Sequence, residues 1–141
     1  MIAAAAIAAV AIALPPAIPP ILHERCPSPE GTSCTWPGGP IYLDPEWGDT
    51  STLLHELGHQ FDYQAMHDPQ RDAFRRLTED SRPWRTSPNS PHEQFAEAYQ
   101  LCATGTRPVD GWVWGGYRYR ERPRRHRRIC LLIQRAGDLA R

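Results

Sequence analysis

From Asp49 onward the apolar positions fall at helical spacing. Leu54, Leu57, Phe61 and Ala65 recur three or four residues apart, and Asp49, Thr50 and Ser51 offer N-caps, so a helix is expected to run to about Met66. Pro69 begins a second helix, Gln70 to about Glu79, with Ala73, Phe74 and Leu77 on one face. Residues 81–91 hold three prolines among serine, threonine and asparagine and read as a loop. Pro91 suits the first position of a third helix, to about Ala103, whose Phe95, Tyr99 and Cys102 form a core-facing stripe. A last helix, Arg124 to Ala136, turns Ile129, Leu132 and Ile133 inward. Ile41-Tyr42-Leu43 is a short strand between Gly-Gly-Pro and Asp44-Pro45, and the leading proline suits an edge strand. Thr104–Gly116, with Trp112 and Trp114, reads as irregular. The pattern predicts one mainly helical α+β domain without internal repeats.

At 141 residues there is little room for a second domain. Residues 1–22 carry no charge. The run Ile2–Leu14 is too short to span a bilayer, and Pro15, Pro16, Pro19 and Pro20 break any continuing helix. Ala11-Ile12-Ala13 has the small-x-small form of a signal-peptidase site, although a basic start is missing. The segment 1–22 is therefore read as a signal peptide or apolar leader and set apart from a domain spanning 23–141. Four cysteines behind such a leader favour an oxidising compartment over four buried free thiols; they allow three pairings, of which loop economy alone favours Cys26–Cys34 with Cys102–Cys130. The expected location is secreted or associated with the cell envelope, with membrane contact only through an uncleaved leader.

All sixteen basic residues are arginine, which excludes Schiff-base, Walker-type and general-base chemistry by lysine. Net charge is zero, but residues 41–110 hold twelve acidic residues against six arginines, and 118–128 hold seven arginines against one glutamate. The Arg-rich segment could bind a polyanion or simply form a solvated helix start. No nucleic-acid-binding module signature accompanies it, so nucleic acid is not the expected partner.

Chemistry concentrates in His55-Glu56-Leu57-Gly58-His59, an H-E-x-x-H motif inside the first helix. Residues i and i+4 lie one above the other, so both imidazoles can reach one metal ion, and Glu56 can take a proton from a water beside it. A catalytic zinc site needs a third protein ligand. The metzincin continuation fails, since Asp62 takes its glycine position and Ala65 its third-histidine position. The other source is Glu93-Gln94-Phe95-Ala96-Glu97, whose two carboxylates share one helix face. One can ligate while the other hydrogen-bonds a ligand histidine.

The pair His-Glu-Leu-Gly-His-Gln-Phe-Asp and Glu-Gln-Phe-Ala-Glu-Ala-Tyr resembles the gluzincin metallopeptidases, in particular the anthrax lethal factor-like branch and small actinobacterial or phage relatives. The resemblance covers about residues 41–103 and is specific at the two helices. It implies a small zincin-like domain with an active-site helix, a glutamate helix and an edge strand. It also implies Zn2+ held by His55, His59 and Glu93, with Glu97 as the supporting carboxylate. Apart from the resemblance, Asp62 could orient a ligand histidine or equally face solvent. The implied reaction is peptide-bond hydrolysis by a zinc-held water that Glu56 activates, on a peptide or protein substrate, by a monomer. Ile41–Leu43 would either lay substrate along its edge or serve structural pairing alone. The family places an oxyanion-stabilising tyrosine shortly before the ligand glutamate, whereas residues 81–92 contain none. His92, Tyr63, Tyr99, Tyr117 and Tyr119 are the available substitutes. Two rivals remain: a zinc-stabilised binding protein without turnover, and a polyanion-binding module built on the Arg-rich segment.

Overall fold

The computed structural model describes residues 12–28, 31–85 and 88–141. Four helices dominate them: α1 (Thr50–Ala65), α2 (Asp68–Thr78), α3 (Pro91–Thr104) and α4 (Pro123–Leu139). Each begins where local chemistry provides a start. Asp49 accepts from the backbone N–H of Thr52 and caps α1, Ser90 accepts from the N–H of Glu93 and caps α3, and prolines occupy the first turns of α2, α3 and α4. Helix α3 stops at Gly105, whose φ of 64° is the left-handed conformation that glycine adopts without strain. The fold is thus the small α+β domain that the sequence predicts.

Helix α1 lies in the middle, packed along α3, and α4 covers α2 and α3. The core is one cluster in which Leu57, Phe61, Phe74, Phe95, Tyr99, Ile129 and Ile133 are wholly buried. Gly58 lets the α1 and α3 backbones approach closely: a Cβ there would lie 2.9 Å from Cα of Ala96. The disulfides Cys26–Cys34 and Cys102–Cys130 are those expected, and the second ties α3 to α4. Two disulfides in so short a chain fit an oxidising environment. Among the described residues no helix is long and apolar enough to cross a membrane.

Three strands form a small sheet beside α1. β1 (Ile21–Leu22) pairs parallel with β3 (Ile41–Tyr42), and β2 (Cys34–Thr35) pairs antiparallel on the other side of β3. This corrects the edge-strand expectation for Ile41–Leu43. β3 is central, and the N–H groups of Ile41 and Leu43 already donate to the carbonyls of Pro20 and Leu22. Residues 1–11 of the proposed leader lie outside the described residues. Its remainder, however, is not separate from the fold. Ala13 is buried beside Gly137 and accepts a hydrogen bond from the Tyr99 hydroxyl at 2.8 Å, Gln64 brackets Ala17, and β1 completes the sheet. The boundary at residue 22 therefore cuts through packed structure. The stretch Thr104–Gly116, read as irregular, contributes β4 (Val113–Trp114), which pairs antiparallel with β5 (Arg120–Glu121).

Candidate metal centre

The antiparallel α1–α3 pair explains how two sequence motifs become one site. His55 stands opposite Glu97 and His59 opposite Glu93, so a four-residue spacing on one helix meets the same spacing on the other. The two imidazoles meet edge to face, with ring centroids 4.8 Å apart. Oε2 of Glu93 lies 3.2 Å from Nε2 of His55 and 3.3 Å from Nε2 of His59. Nδ1 of His55 lies 3.1 Å from Oε2 of Glu97, whose Oε1 accepts the N–H of Gly116 at 2.9 Å. Glu97 thus holds the His55 ring so that Nε2 faces Glu93.

The donor set fits zinc. Nitrogen and oxygen ligands about 2.0–2.1 Å from a tetrahedral ion stand roughly 3.3–3.4 Å from one another. The 3.2 and 3.3 Å separations match that edge, and all three ligand atoms lie within 4.8 Å of one another. Without a cation, both Nε2 atoms would have to carry protons to satisfy one carboxylate oxygen. Among the described residues, the buried Nδ1 of His59 has no hydrogen-bond partner, and a cation on Nε2 would not supply one.

Electrostatics separates Glu56 from Glu93. Burial raises the Glu56 carboxyl to about 7, against a lowering by His55. Burial acts in the same sense on Glu93, but the bonds from His55 and His59 outweigh it and hold Glu93 well below the ordinary carboxylate range. For His55, burial opposes the charged form, yet the contacts with Glu93 and Glu97 override it and raise the ring to about 9. For His59, burial wins over Glu93 and lowers the ring to about 4, leaving it neutral near pH 7.

A cleft of about 770 Å³ opens over these groups, walled by the Cys26–Cys34 loop, Tyr63, Arg85, His92 and Tyr117. Tyr117 stacks on His55 with centroids 4.9 Å apart. It is placed by the tight β4–β5 turn, where Tyr117 (φ 54°) and Arg118 (φ 61°) are both left-handed and the N–H of Tyr119 donates to the carbonyl of Gly116. Tyr63 lies beneath the guanidinium of Arg85. Burial raises both phenols to about 12, so they remain protonated donors. Tyr99 is committed to Ala13 and Tyr119 to His126, away from the cleft. Of the five residues weighed for the missing tyrosine, His92, Tyr63 and Tyr117 line it.

Asp62 requires a correction. Among the described residues, no hydrogen bond joins it to His55 or His59. Its Oδ2 lies 2.9 Å from Nδ1 of His92 and accepts from Nε1 of Trp84, and its Oδ1 accepts from Nε of Arg71. Wholly buried, it fixes His92, whose ring centroid lies 4.2 Å from that of His59. The signal for this was available, because residues 55, 59 and 62 share one helix face directed at α3. No known protein family, curated protein or solved structure matches this chain.

Proposed function

We propose that the protein is a zinc-dependent peptidase, secreted or held at the cell envelope. The observation that carries this reading is the meeting of His55 Nε2, His59 Nε2 and Glu93 Oε2 in an open cleft, with a buried Glu56 beside them. A purely structural zinc site is closed by four protein ligands and has no use for a neighbouring base. Zinc bound here would supply a Lewis acid and bring a water's pKa to about 7. Glu56, itself raised to about 7, would accept the proton of the attacking water and return it to the leaving amine. Glu97 keeps His55 in the ligating tautomer. The Tyr117 phenol lines the cleft and would donate to the developing oxyanion; the Tyr63 phenol lines it too but already donates to the carbonyl of Thr35 at 3.4 Å. An extended substrate would lie along β2, which borders the cleft and among the described residues pairs with β3 alone, and not along central β3.

The test is the zinc content of the purified chain beside His59→Ala and Glu93→Ala, followed by hydrolysis of a peptide library with Glu56→Gln as the control. One zinc per chain, lost in both ligand variants, with turnover abolished in a zinc-replete Glu56→Gln protein, is the expected result. No zinc in the folded wild type overturns the reading. Zinc without turnover would leave the metal as a staple of a binding protein.

A further inference from the structure

A second group of metal-binding atoms lies on the far side of α3. Cys102 of α3 and Cys130 of α4 form a disulfide, and the imidazole of His126 faces both sulfurs, its Nε2 lying 3.8 Å from Sγ of Cys102 and 3.5 Å from Sγ of Cys130. His126 is only 7% exposed. Its Nδ1 lies 2.7 Å from the hydroxyl of Tyr119. A disulfide explains this poorly, because its sulfurs are weak acceptors and leave the buried Nε2 underserved. A pair of thiolates sharing a cation explains it well.

The geometry points to a redox-gated metal site: in the dithiol state Cys102, Cys130 and His126 bind one divalent zinc-like cation, in place of the covalent link between α3 and α4. Around a tetrahedral ion, nitrogen at about 2.0–2.1 Å and sulfur at about 2.3 Å stand roughly 3.5–3.6 Å apart. The 3.5 Å contact with Cys130 matches that edge, and the 3.8 Å contact with Cys102 is somewhat longer than it. Two thiolates on one such ion stand roughly 3.8 Å apart, a separation that side-chain rotation supplies once the S–S bond is broken. A proton on Nδ1, donated to Tyr119, would leave the Nε2 lone pair on the sulfurs. Metal-ligating histidines are usually fixed through their other nitrogen in this way. Cys102 and Cys130 are half-buried, so a reductant and a cation can reach them. Among the described residues, the Cys26–Cys34 pair belongs to no such group.

The chemistry balances simply. A dithiol reductant breaks the S–S bond, gives two electrons and two protons to the sulfurs and departs as its own disulfide. Cation binding then displaces both thiol protons. The consequence is that α3, which carries Glu93 and Glu97, stays clamped to α4 by one link or the other. The proposal does not depend on the peptidase reading.

The experiment uses the full chain with Cys26→Ser and Cys34→Ser, reduced with a phosphine under anaerobic conditions and titrated with Co2+. A thiolate-to-cobalt charge-transfer band should grow to one equivalent in the reduced protein, stay absent in the oxidised protein and bleach on adding Zn2+. The site of His55, His59 and Glu93 contains no sulfur and cannot produce that band. His126→Gln should weaken the band's apparent affinity at least tenfold, and Tyr119→Phe by about ten- to a hundredfold. If reduction alone melts the helices, Co2+ must restore the far-ultraviolet circular dichroism together with the band. Absence of the band in the reduced chain, failure to restore a melted fold, or a band unchanged by His126→Gln overturns the proposal.

Discussion

Gly58→Ala tests whether the candidate metal centre depends on how closely α1 and α3 approach. A Cβ at this position would lie 2.9 Å from Cα and 3.0 Å from the carbonyl oxygen of Ala96, and 3.0 Å from Cβ of Tyr99. None of these atoms can rotate aside. Comfortable carbon contacts begin near 3.5 Å, so α3 must retreat by about 0.5–1 Å. Overpacking of this kind costs about 1–3 kcal/mol, against a helix-propensity gain of about 1 kcal/mol for alanine over glycine. The net loss is about 0–2 kcal/mol, or a fall of at most roughly 10 °C in melting temperature for a chain of this size. Zinc binding should suffer more. Glu93 lies one turn before Ala96, and its separations of 3.2 and 3.3 Å from the two histidines would open toward about 4 Å, beyond the edge of a zinc tetrahedron. A ten- to hundredfold loss of zinc affinity is expected, the range seen when a ligand loses its positioning. Gly105→Ala is the control. Its φ is +64° with nothing within 4 Å of the added Cβ, so it should cost about 1 kcal/mol through backbone strain and leave zinc affinity unchanged. Thermal melts of the metal-free proteins and competition with a fluorescent chelator provide both numbers. Wild-type zinc affinity in Gly58→Ala, or equal weakening in both variants, would refute the argument.

Two further outcomes follow from buried carboxylates. Glu56 ionises at about 7 in the fold against 4.5 in its ordinary state, so the metal-free folded protein holds this proton more tightly than the unfolded chain and loses stability as pH rises between those values. Glu56→Gln should therefore melt higher than wild type at pH 8, by up to about 3 kcal/mol, and equally at pH 4; equal melting at both pH values would show that Glu56 is solvated. Asp62 is shifted the other way. Burial would raise its carboxyl, but His92, Trp84 and Arg71 hold it below the ordinary 3.8, so its contribution is complete above that value and disappears as pH falls through the folded one. Asp62→Asn should cost about 3–5 kcal/mol at pH 7 and flatten the acid limb of the stability curve, and an unchanged acid limb in chemical denaturation would discount the network.

What could be read from the sequence was whatever is decided within a few residues. Asp49 and Pro91 mark helix starts by their own backbone chemistry, and the equal four-residue spacings of His55–His59 and Glu93–Glu97 allow one face to meet the other. The disulfide pairing followed from the short loop that Cys26–Cys34 closes, which leaves Cys102 to Cys130. What could not be read depends on distant partners. Ile21–Leu22 lies in a charge-free, proline-broken run whose composition matches a leader, and it becomes a strand only because β3 lies beside it. The hairpin of β4 and β5 was hidden for a different reason. Its tight turn places Tyr117 and Arg118 at positive φ, where Asn-Gly is the recognisable signal and where side chains cost about 1–2 kcal/mol each. That strain is compensated by specific contacts. Gly116 donates to Glu97, Gln94 donates to the carbonyl of Tyr117, and the Tyr117 ring stacks on His55. The turn is thus strained against its own sequence and held by the helices that carry the proposed ligands. Local rules are expected to yield in this way where a chain gives up stability to position a side chain for chemistry. The same holds for Glu56, buried at a carboxyl pKa near 7, and for Nδ1 of His59, which has no partner among the described residues. Three departures from an optimally stable fold converge on one cleft, which is more than a helix pair built only for packing would require.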